Sequence, residues 1–293
     1  MTERTDSTLQ NNNWTEEILP KTSLLDLRLS EVWRYRDLLV LFVKRDFIAT
    51  YKQTILGPLW NFVQPILTTI MFFVVFSKIA GISTEGINKV AFYLSSITIW
   101  NYFANCLTGT SNTFVANAGI FGKVYFPRLI LPLSVCFSNV IKFGVQFLLL
   151  LAIMLVYTIK GEHFHFGLSW LLIPVLIVVM AGLGLGCGII ISSLTTKYRD
   201  FAVLITFGVQ LLMYATPVAY PLSYLMLKSK HAWLININPL SPILEAFRYA
   251  LFKSPEQHFN FNTLWYSIGF MIVTLIIGTL MFNKVERSFM DTV

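Results

Sequence analysis

Charge is what this sequence has least of: 13% of its 293 residues are Asp, Glu, Lys or Arg, against about 25% in an ordinary soluble domain. A folded surface with half the usual charge is poorly wetted, which excludes a cytosolic two-domain enzyme, and so apolar a chain is not intrinsically disordered. Cysteine is equally sparse. Cys106, Cys136 and Cys187 are too few for a disulfide framework, and each sits in an apolar run where it reads as a small buried hydrophobe. Residues 1–13 are polar and acid-containing, with no apolar h-region behind a basic start. No cleavable signal is expected there, and the N-terminus should stay on the side of synthesis. What the chain has in abundance is apolar: 55% hydrophobic residues, 15% aromatic, and a mean hydropathy of +0.65. That is the balance of a polytopic membrane protein. The net charge of +7 would suit nucleic acid, but no basic stretch interleaved with stacking aromatics lies outside the apolar segments. In a membrane chain such residues set orientation and meet anionic headgroups, so no nucleic-acid partner is expected.

A membrane span needs about 20 largely apolar residues. Six runs qualify, at 59–80, 90–110, 133–158, 168–194, 201–220 and 264–282; Lys78 near an end and Lys142 inside are tolerable as snorkelling or inward-facing lysines. Two further stretches are too short or too charged to cross. Residues 32–51, within a segment 31–56, read as an amphipathic helix lying in the interface. Residues 221–252 hold Lys228, Lys230, Glu245 and Arg248, with Pro239 and Pro242 interrupting, and read as a re-entrant or interfacial helical hairpin between spans five and six. With the N-terminus inside, the cytosolic connections carry twice as many Lys and Arg as the outer ones. Both termini are therefore expected in the cytosol.

The energy source is also missing. All 15 acidic residues fall outside the six runs, whereas ion-coupled carriers place carboxylates at membrane depth. The stretch Gly119 to Lys123 has the wrong spacing for a phosphate-binding loop. Uphill transport by this chain would need energy from another polypeptide. Gly182, Gly184, Gly186 and Gly188 contain no GxGxxG and lie inside an apolar run; Gly182/Gly186 and Gly184/Gly188 read as small-xxx-small packing faces. His163 and His165 beside Glu162 would suit a metal only with further ligands, and a solvated loop is the better reading. No metal site is expected.

The cytosolic edges carry a more specific pattern. The run KRDFIATYKQTILGPLWNFVQP, Lys44 to Pro65, closely resembles the signature entering the first span of bacterial polysaccharide-export permeases. These are membrane subunits of ABC-type exporters of O-antigen, capsule and teichoic acid, in the ABC-2 membrane family. The loop GKVYFPR from Gly122 to Arg128, the loop KYRDF from Lys197 to Phe201, and the turn NPLSP from Asn238 to Pro242 resemble that family too. Residues 1–30 look like a polar cytosolic leader that the resemblance does not explain, and 57–293 like the six-span permease domain.

The resemblance implies roles for particular residues. The helix ending in Gly57-Pro58, with Lys44, Arg45, Asp46, Tyr51 and Lys52, looks like a cytosolic gate, and Pro58 would break it before the first span. Gly122, Lys123, Pro127, Arg128, Lys197, Tyr198, Arg199 and Asp200 look like contacts for an ATPase; their basic members would equally satisfy the positive-inside bias. The hairpin with Pro239, Pro242, Glu245 and Arg248 looks like an outer gate, where Glu245 and Arg248 stand at ion-pair spacing on a helix. Aromatic rings stack on the C–H faces of sugars. Trp60, Phe72, Phe73, Phe76, Trp100, Tyr102, Phe103, Tyr214 and Tyr220, with Asn61, Asn101 and Asn105 nearby, could line a glycan path or could simply pack and face lipid.

The expectation is an all-α integral membrane permease that does no covalent chemistry. Two copies would form one path for a lipid-linked polysaccharide, above two copies of a separate ATPase that holds the ATP and Mg; this chain would carry no cofactor. An exporter of a small hydrophobic drug or lipid would share the fold. A membrane transferase would need clustered His, Asp or Glu at the membrane edge, where the acids here are scattered.

Overall fold

The computed structural model describes residues 29–121, 126–162, 167–196, 198, 200–224, 235, 237–254 and 259–289. Its elements are helical: α1 (Leu29–Arg34), α2 (Arg36–Tyr51), α3 (Trp60–Phe72), α4 (Lys89–Ser111), α5 (Thr113–Ala116), α6 (Ala118–Phe121), α7 (Ile130–Ile159), α8 (Leu172–Thr195), α9 (Phe201–Ala215), α10 (Leu240–Phe252) and α11 (Asn262–Phe289). The leader to residue 28, the metal candidates His163 and His165, and 225–234 of the expected hairpin lie outside the described residues.

Four segments are long and apolar enough to cross a bilayer: Gly57–Ile79, Ile130–Ile159, Leu168–Thr195 and Asn262–Val285. They match the first, third, fourth and sixth expected spans. The second expected span is one helix, α4, of 23 residues, long enough at 1.5 Å per residue but more polar. It is the most enclosed long helix, with 16 of those residues buried. Burial is tolerable because most of its hydroxyls bond within the helix: Ser95 and Ser96 donate to Phe92 O (2.9 Å each), Thr98 to Leu94 O (2.8 Å) and Thr108 to Ala104 O (2.7 Å). The fifth run yields a helix of only 15 residues, α9.

Packing follows the glycines of α8. A Cβ added at Gly184 would lie 2.7 Å from Cys106 Cβ, and one at Gly188 would lie 2.6 Å from Thr110 Cβ and 3.0 Å from Leu107 O, so both glycines press on α4. A Cβ at Gly186 would meet Leu275 N at 3.0 Å, and Gly182 abuts Met271, so these two press on α11, where Gly278 answers against Gly186 O at 2.9 Å. Alternate glycines thus serve opposite neighbours, and both expected small-xxx-small faces are in use. Cys106 and Cys136 are buried, Cys187 is half-buried, and all three are free thiols.

Three local features matter. The expected interfacial helix ends at Tyr51, where its expected bounds put it, and the rest of the 31–56 segment is not helical: Lys52 turns to extended backbone and Gln53 adopts φ 64°, before Gly57 (φ 51°) and Pro58 start α3 through a 3₁₀ turn. That helix also has two apolar faces rather than one. Tyr35, Leu38, Leu39 and Phe42 pack on the bundle, while Trp33, Val40, Leu41 and Ile48 are exposed on the other side. Finally, α3 continues as a π-helix over Phe73–Ile79, closed by Ala80 N donating to Val75 O at 2.9 Å; such segments cluster at functional sites.

Substituting Gly188→Leu should separate α4 from α8, because the added side chain starts inside van der Waals contact with backbone. The loss expected from overpacking is about 1–3 kcal/mol, read as a lower melting temperature of the detergent-purified protein. An equal melting temperature would show that the two helices are not held by this contact.

Candidate gates, coupling loops and path

The bundle has two ends, fixed by contacts between its connections. At one end α2 meets the start of α7 and the end of α11: Phe42 packs on Phe126 (centroids 5.7 Å apart), and Phe114 stacks on Phe282 (4.6 Å). At the other, Asn88 Nδ2 donates to Glu162 Oε1 (2.8 Å), and Ser223 Oγ donates to Glu85.

The expected outer-gate residues lie on α10, whose residues are buried almost throughout. Pro239 precedes the helix and Pro242 sits in its first turn, where a missing N–H costs nothing. The Glu245–Arg248 pair forms as the spacing predicts. It is no surface pair: Arg248 is 0% exposed and Glu245 8%. Arg248 Nη1 donates to Ser96 Oγ (3.3 Å) and Pro217 O (3.0 Å), the guanidinium lies 4.4 Å from the Phe92 ring centroid, and Glu245 Oε1 also accepts from Leu222 N (3.2 Å). One ion pair therefore ties α10 to α4 and to the chain after α9. Asn238 strengthens the tie, donating to Thr216 Oγ1 (2.8 Å) and capping the start of α10 at Leu240 N (3.0 Å). This helix, expected to be re-entrant or interfacial, is enclosed by the protein along nearly its whole length. The buried charges account for it, because an ion pair is stable away from water only where further polar groups surround it.

At the opposite end the expected cytosolic-gate residues divide. Arg45 pairs with its neighbour Asp46 (2.8 Å) and lies 4.7 Å from the Phe42 ring centroid. The Tyr51 hydroxyl accepts from Asn61 Nδ2, fastening the end of α2 to the first turn of α3. Lys44 and Lys52 are exposed and point to no described partner; Gly57 and Pro58 form the turn into α3.

The two expected coupling loops both emerge at this end, where Phe114 N meets Ser192 Oγ at 3.5 Å. Gly122, Lys123, Lys197 and Arg199 lie outside the described residues. Tyr198 and Asp200 are exposed, and Pro127 is half-buried. Arg128 departs from expectation. It is 6% exposed, so its side chain is packed into the bundle rather than offered as a docking contact.

Four of the nine aromatics expected to line a path do something else. Phe72, Trp100, Tyr102 and Phe103 are buried in the main core, with Phe72–Phe76 at 5.3 Å, Trp100–Phe103 at 5.6 Å and Tyr102–Phe143 at 5.4 Å between centroids. Within one chain these rings are packing. Phe73 and Phe76, in the π-helix, and Tyr220 are half-buried; Tyr220 donates its hydroxyl to Tyr214 O (2.7 Å). Trp60 and Tyr214 are exposed, on α3 and α9, whose outer faces also show Leu67, Ile70, Met71, Phe207 and Leu211.

A polar stripe runs where the sequence had suggested only scattered hydrogen-bonding groups. Asn101, Asn105 and Thr108 recur at helical spacing along α4 and Asn112 caps its end, with Asn105 and Asn112 exposed. Asn101 Nδ2 donates to Gln146 Oε1 (3.4 Å) on α7, one turn from Lys142. An exposed amide within an apolar helix marks a surface that faces water or another protein rather than lipid. The stripe was readable as an i, i+4, i+7, i+11 pattern, but only the fold shows which of its members reach the surface.

Arg248→Ala should leave the Glu245 carboxylate buried beside an empty site. The expected destabilisation is about 3–5 kcal/mol, whereas E245Q/R248M should recover most of the melting temperature. Equal loss in the single and double variants would show that volume, not charge, holds α10 in place.

Comparison with known proteins completes the description. The family described as ABC-2 type transporter matches residues 37–252. The O-antigen export system permease protein RfbA of Klebsiella pneumoniae is 30% identical over 260 residues, 87% of this chain and 94% of the relative. Its namesake in Myxococcus xanthus is 25% identical over 76% of this chain and 83% of its own length. The capsule polysaccharide export inner-membrane protein CtrC of Neisseria meningitidis is 22% identical over 89% of this chain and 94% of its own length. With four long apolar helices, no strand among the described residues and a family match over most of its length, the chain is a multi-pass membrane protein belonging to the ABC-2 type transporter family.

Proposed function

We propose that this chain is the membrane subunit of an ATP-driven exporter that carries a lipid-linked polysaccharide across the bacterial inner membrane. One observation carries the reading: it aligns with permeases named for O-antigen and capsule export over nearly their whole length. Two copies form the path, two copies of a separate cytosolic ATPase supply the energy, and ATP and Mg belong to that partner. The chain itself makes and breaks no covalent bond.

The end of the bundle with α2 and the connections after α4 and α8 is the cytosolic one. Support comes from its basic residues and from the meeting there of α2 with the end of α11, as an even number of crossings requires. Six passes then run through α3, α4, α7, α8, the segment begun by α9, and α11. Residues 1–30 are a cytosolic leader, α1 and α2 with the turn to residue 56 are the gate, and 57–293 are the permease domain. Gly122, Lys123, Pro127, Lys197, Tyr198, Arg199 and Asp200 belong to the surfaces that receive the ATPase, with Arg128 bracing the first of them from inside.

The path lies where the exposed faces of α3 and α9 and the asparagine stripe of α4 are available to a second copy. Trp60, Phe73, Phe76, Tyr214 and Tyr220 offer C–H stacking there, while the stripe offers hydrogen bonds to hydroxyls. Polymer passage needs weak, repeated contacts rather than one tight site. Lys44 and Lys52, exposed beside the cytosolic mouth, hold the phosphates of the lipid carrier, with Arg45 contributing charge from its pair with Asp46. The Glu245–Arg248 tie keeps the outer exit closed until the helices rearrange.

Deleting the gene should abolish surface polysaccharide, and this chain should restore it only when expressed with its ATPase, with which it should co-purify in equal numbers. Restoration without the ATPase, or no restoration at all, would overturn the reading. In the purified complex, K44A/K52A should lower glycan-stimulated ATP hydrolysis several-fold without disturbing assembly; unchanged stimulation would remove the phosphate role.

A further inference from the structure

At the end of the bundle away from α2 lies a cavity of about 1000 Å³, at the upper limit of the range of about 300–1,000 Å³ typical of small-molecule sites. Ser77, Thr84, Asn88, Phe252, Lys253 and Ser254 are among the residues that line it. Its walls are fastened to one another. Glu85 stands at φ 54° with its carboxylate accepting from Ser223 and its carbonyl from Ser254 Oγ (2.6 Å), and Thr84 Oγ1 donates to Ile87 O (2.6 Å). Asn88 spans from the start of α4 to Glu162. Four separate stretches of chain thus build one preformed surface.

Ser77 gives the independent sign of a ligand. It is 5% exposed, and its hydroxyl has no hydrogen-bond partner. Many helical hydroxyls here bond back to a carbonyl three or four residues earlier, as Thr68 does to Gln64 O and Thr98 to Leu94 O; of the buried helical hydroxyls left unmet, among them Thr69, Thr110 and Ser138, Ser77 is the one that lines this cavity. Ser77 lies in the π-helical stretch, where the wider turn moves that carbonyl out of reach. A buried hydroxyl left unmet is unfavourable unless something in the cavity completes it.

The lining states the chemistry. Hydroxyls and an amide that both donate and accept, the ammonium donors of Lys89 and Lys253, the Glu162 carboxylate as acceptor and an aromatic ring suit a molecule that is dense in hydroxyls yet has an apolar C–H face. We propose that this cavity is a saccharide-binding site that holds the sugar units of the exported chain as they leave the path on the outer side. The proposal rests on the exporter reading for the direction it faces and for the identity of the sugar. Lys253 and Ser254 follow directly on α10, so occupancy would bear on the end of the helix that carries the Glu245–Arg248 pair.

The test uses the full chain in lipid nanodiscs and, as probe, the surface polysaccharide of the bacterium that encodes it, released from its lipid by mild acid. Ser83→Trp, which fills the cavity from an exposed wall position, should weaken binding at least tenfold, as judged by calorimetric titration. Ser77→Ala removes only the unmet hydroxyl and should weaken it about fivefold, the scale of one hydrogen bond; being milder, it decides the matter if the tryptophan variant fails to fold. Equal binding by wild type and Ser77→Ala, or no binding by wild type while the chain still restores surface polysaccharide in a deletion strain, would overturn the site alone. Failure to restore surface polysaccharide would instead overturn the exporter reading beneath it.

Discussion

The backbone-to-backbone approach of α8 to its two neighbours is the constraint from which the rest of the bundle follows. In a bilayer the lipid tails are as apolar as leucine, so helices associate where their surfaces fit closely rather than where they are greasy. Four glycines at alternate positions let α8 press on α4 with one face and on α11 with the other. Any side chain would push one of those helices away. The three helices make a central slab, and α4 is buried within it despite its serines, threonines and asparagines because most of its hydroxyls are satisfied inside the helix. Pushed to the outside are α3 and α9, whose apolar faces remain uncovered.

Charge is placed with corresponding economy. Among the described residues, Arg248 has Glu245 and the Phe92 face as companions, and Lys78 lies 5.7 Å from the Phe73 ring centroid. These are arrangements that hold helices together, and among the described residues no carboxylate stands inside a long apolar span to take up a coupling ion. A path that is only a path, with its driving force applied from below, fits such a distribution.

Much of this was legible in the sequence because it depends on local composition and period. Apolar run lengths locate the four long apolar helices and the positions of α4 and α9. Glycine spacing identifies the packing faces, and the i,i+3 spacing of Glu245 and Arg248 predicts their pair. The motifs at the membrane edges suffice to point to the family. Less legible was the fate of the aromatics. A tryptophan in an apolar helix looks the same whether it faces a channel, a neighbour or lipid, and Trp100, Tyr102 and Phe103 proved to be core while Trp60 and Tyr214 are surface.

The sequence by itself determined that this chain lives in a membrane, roughly where it crosses, and to which family it belongs, since each of these is written in windows of twenty residues or fewer. Only the tertiary structure decided that Arg128 is buried, that α10 is enclosed rather than spread on the interface, that the α4 asparagines form a partly exposed stripe, and that Ser77 opens on a cavity with an unmet hydroxyl. Those facts depend on which segments come to lie against one another across a hundred residues or more. Exposure and partnership belong to such pairs of segments, and no single window of the chain contains both members.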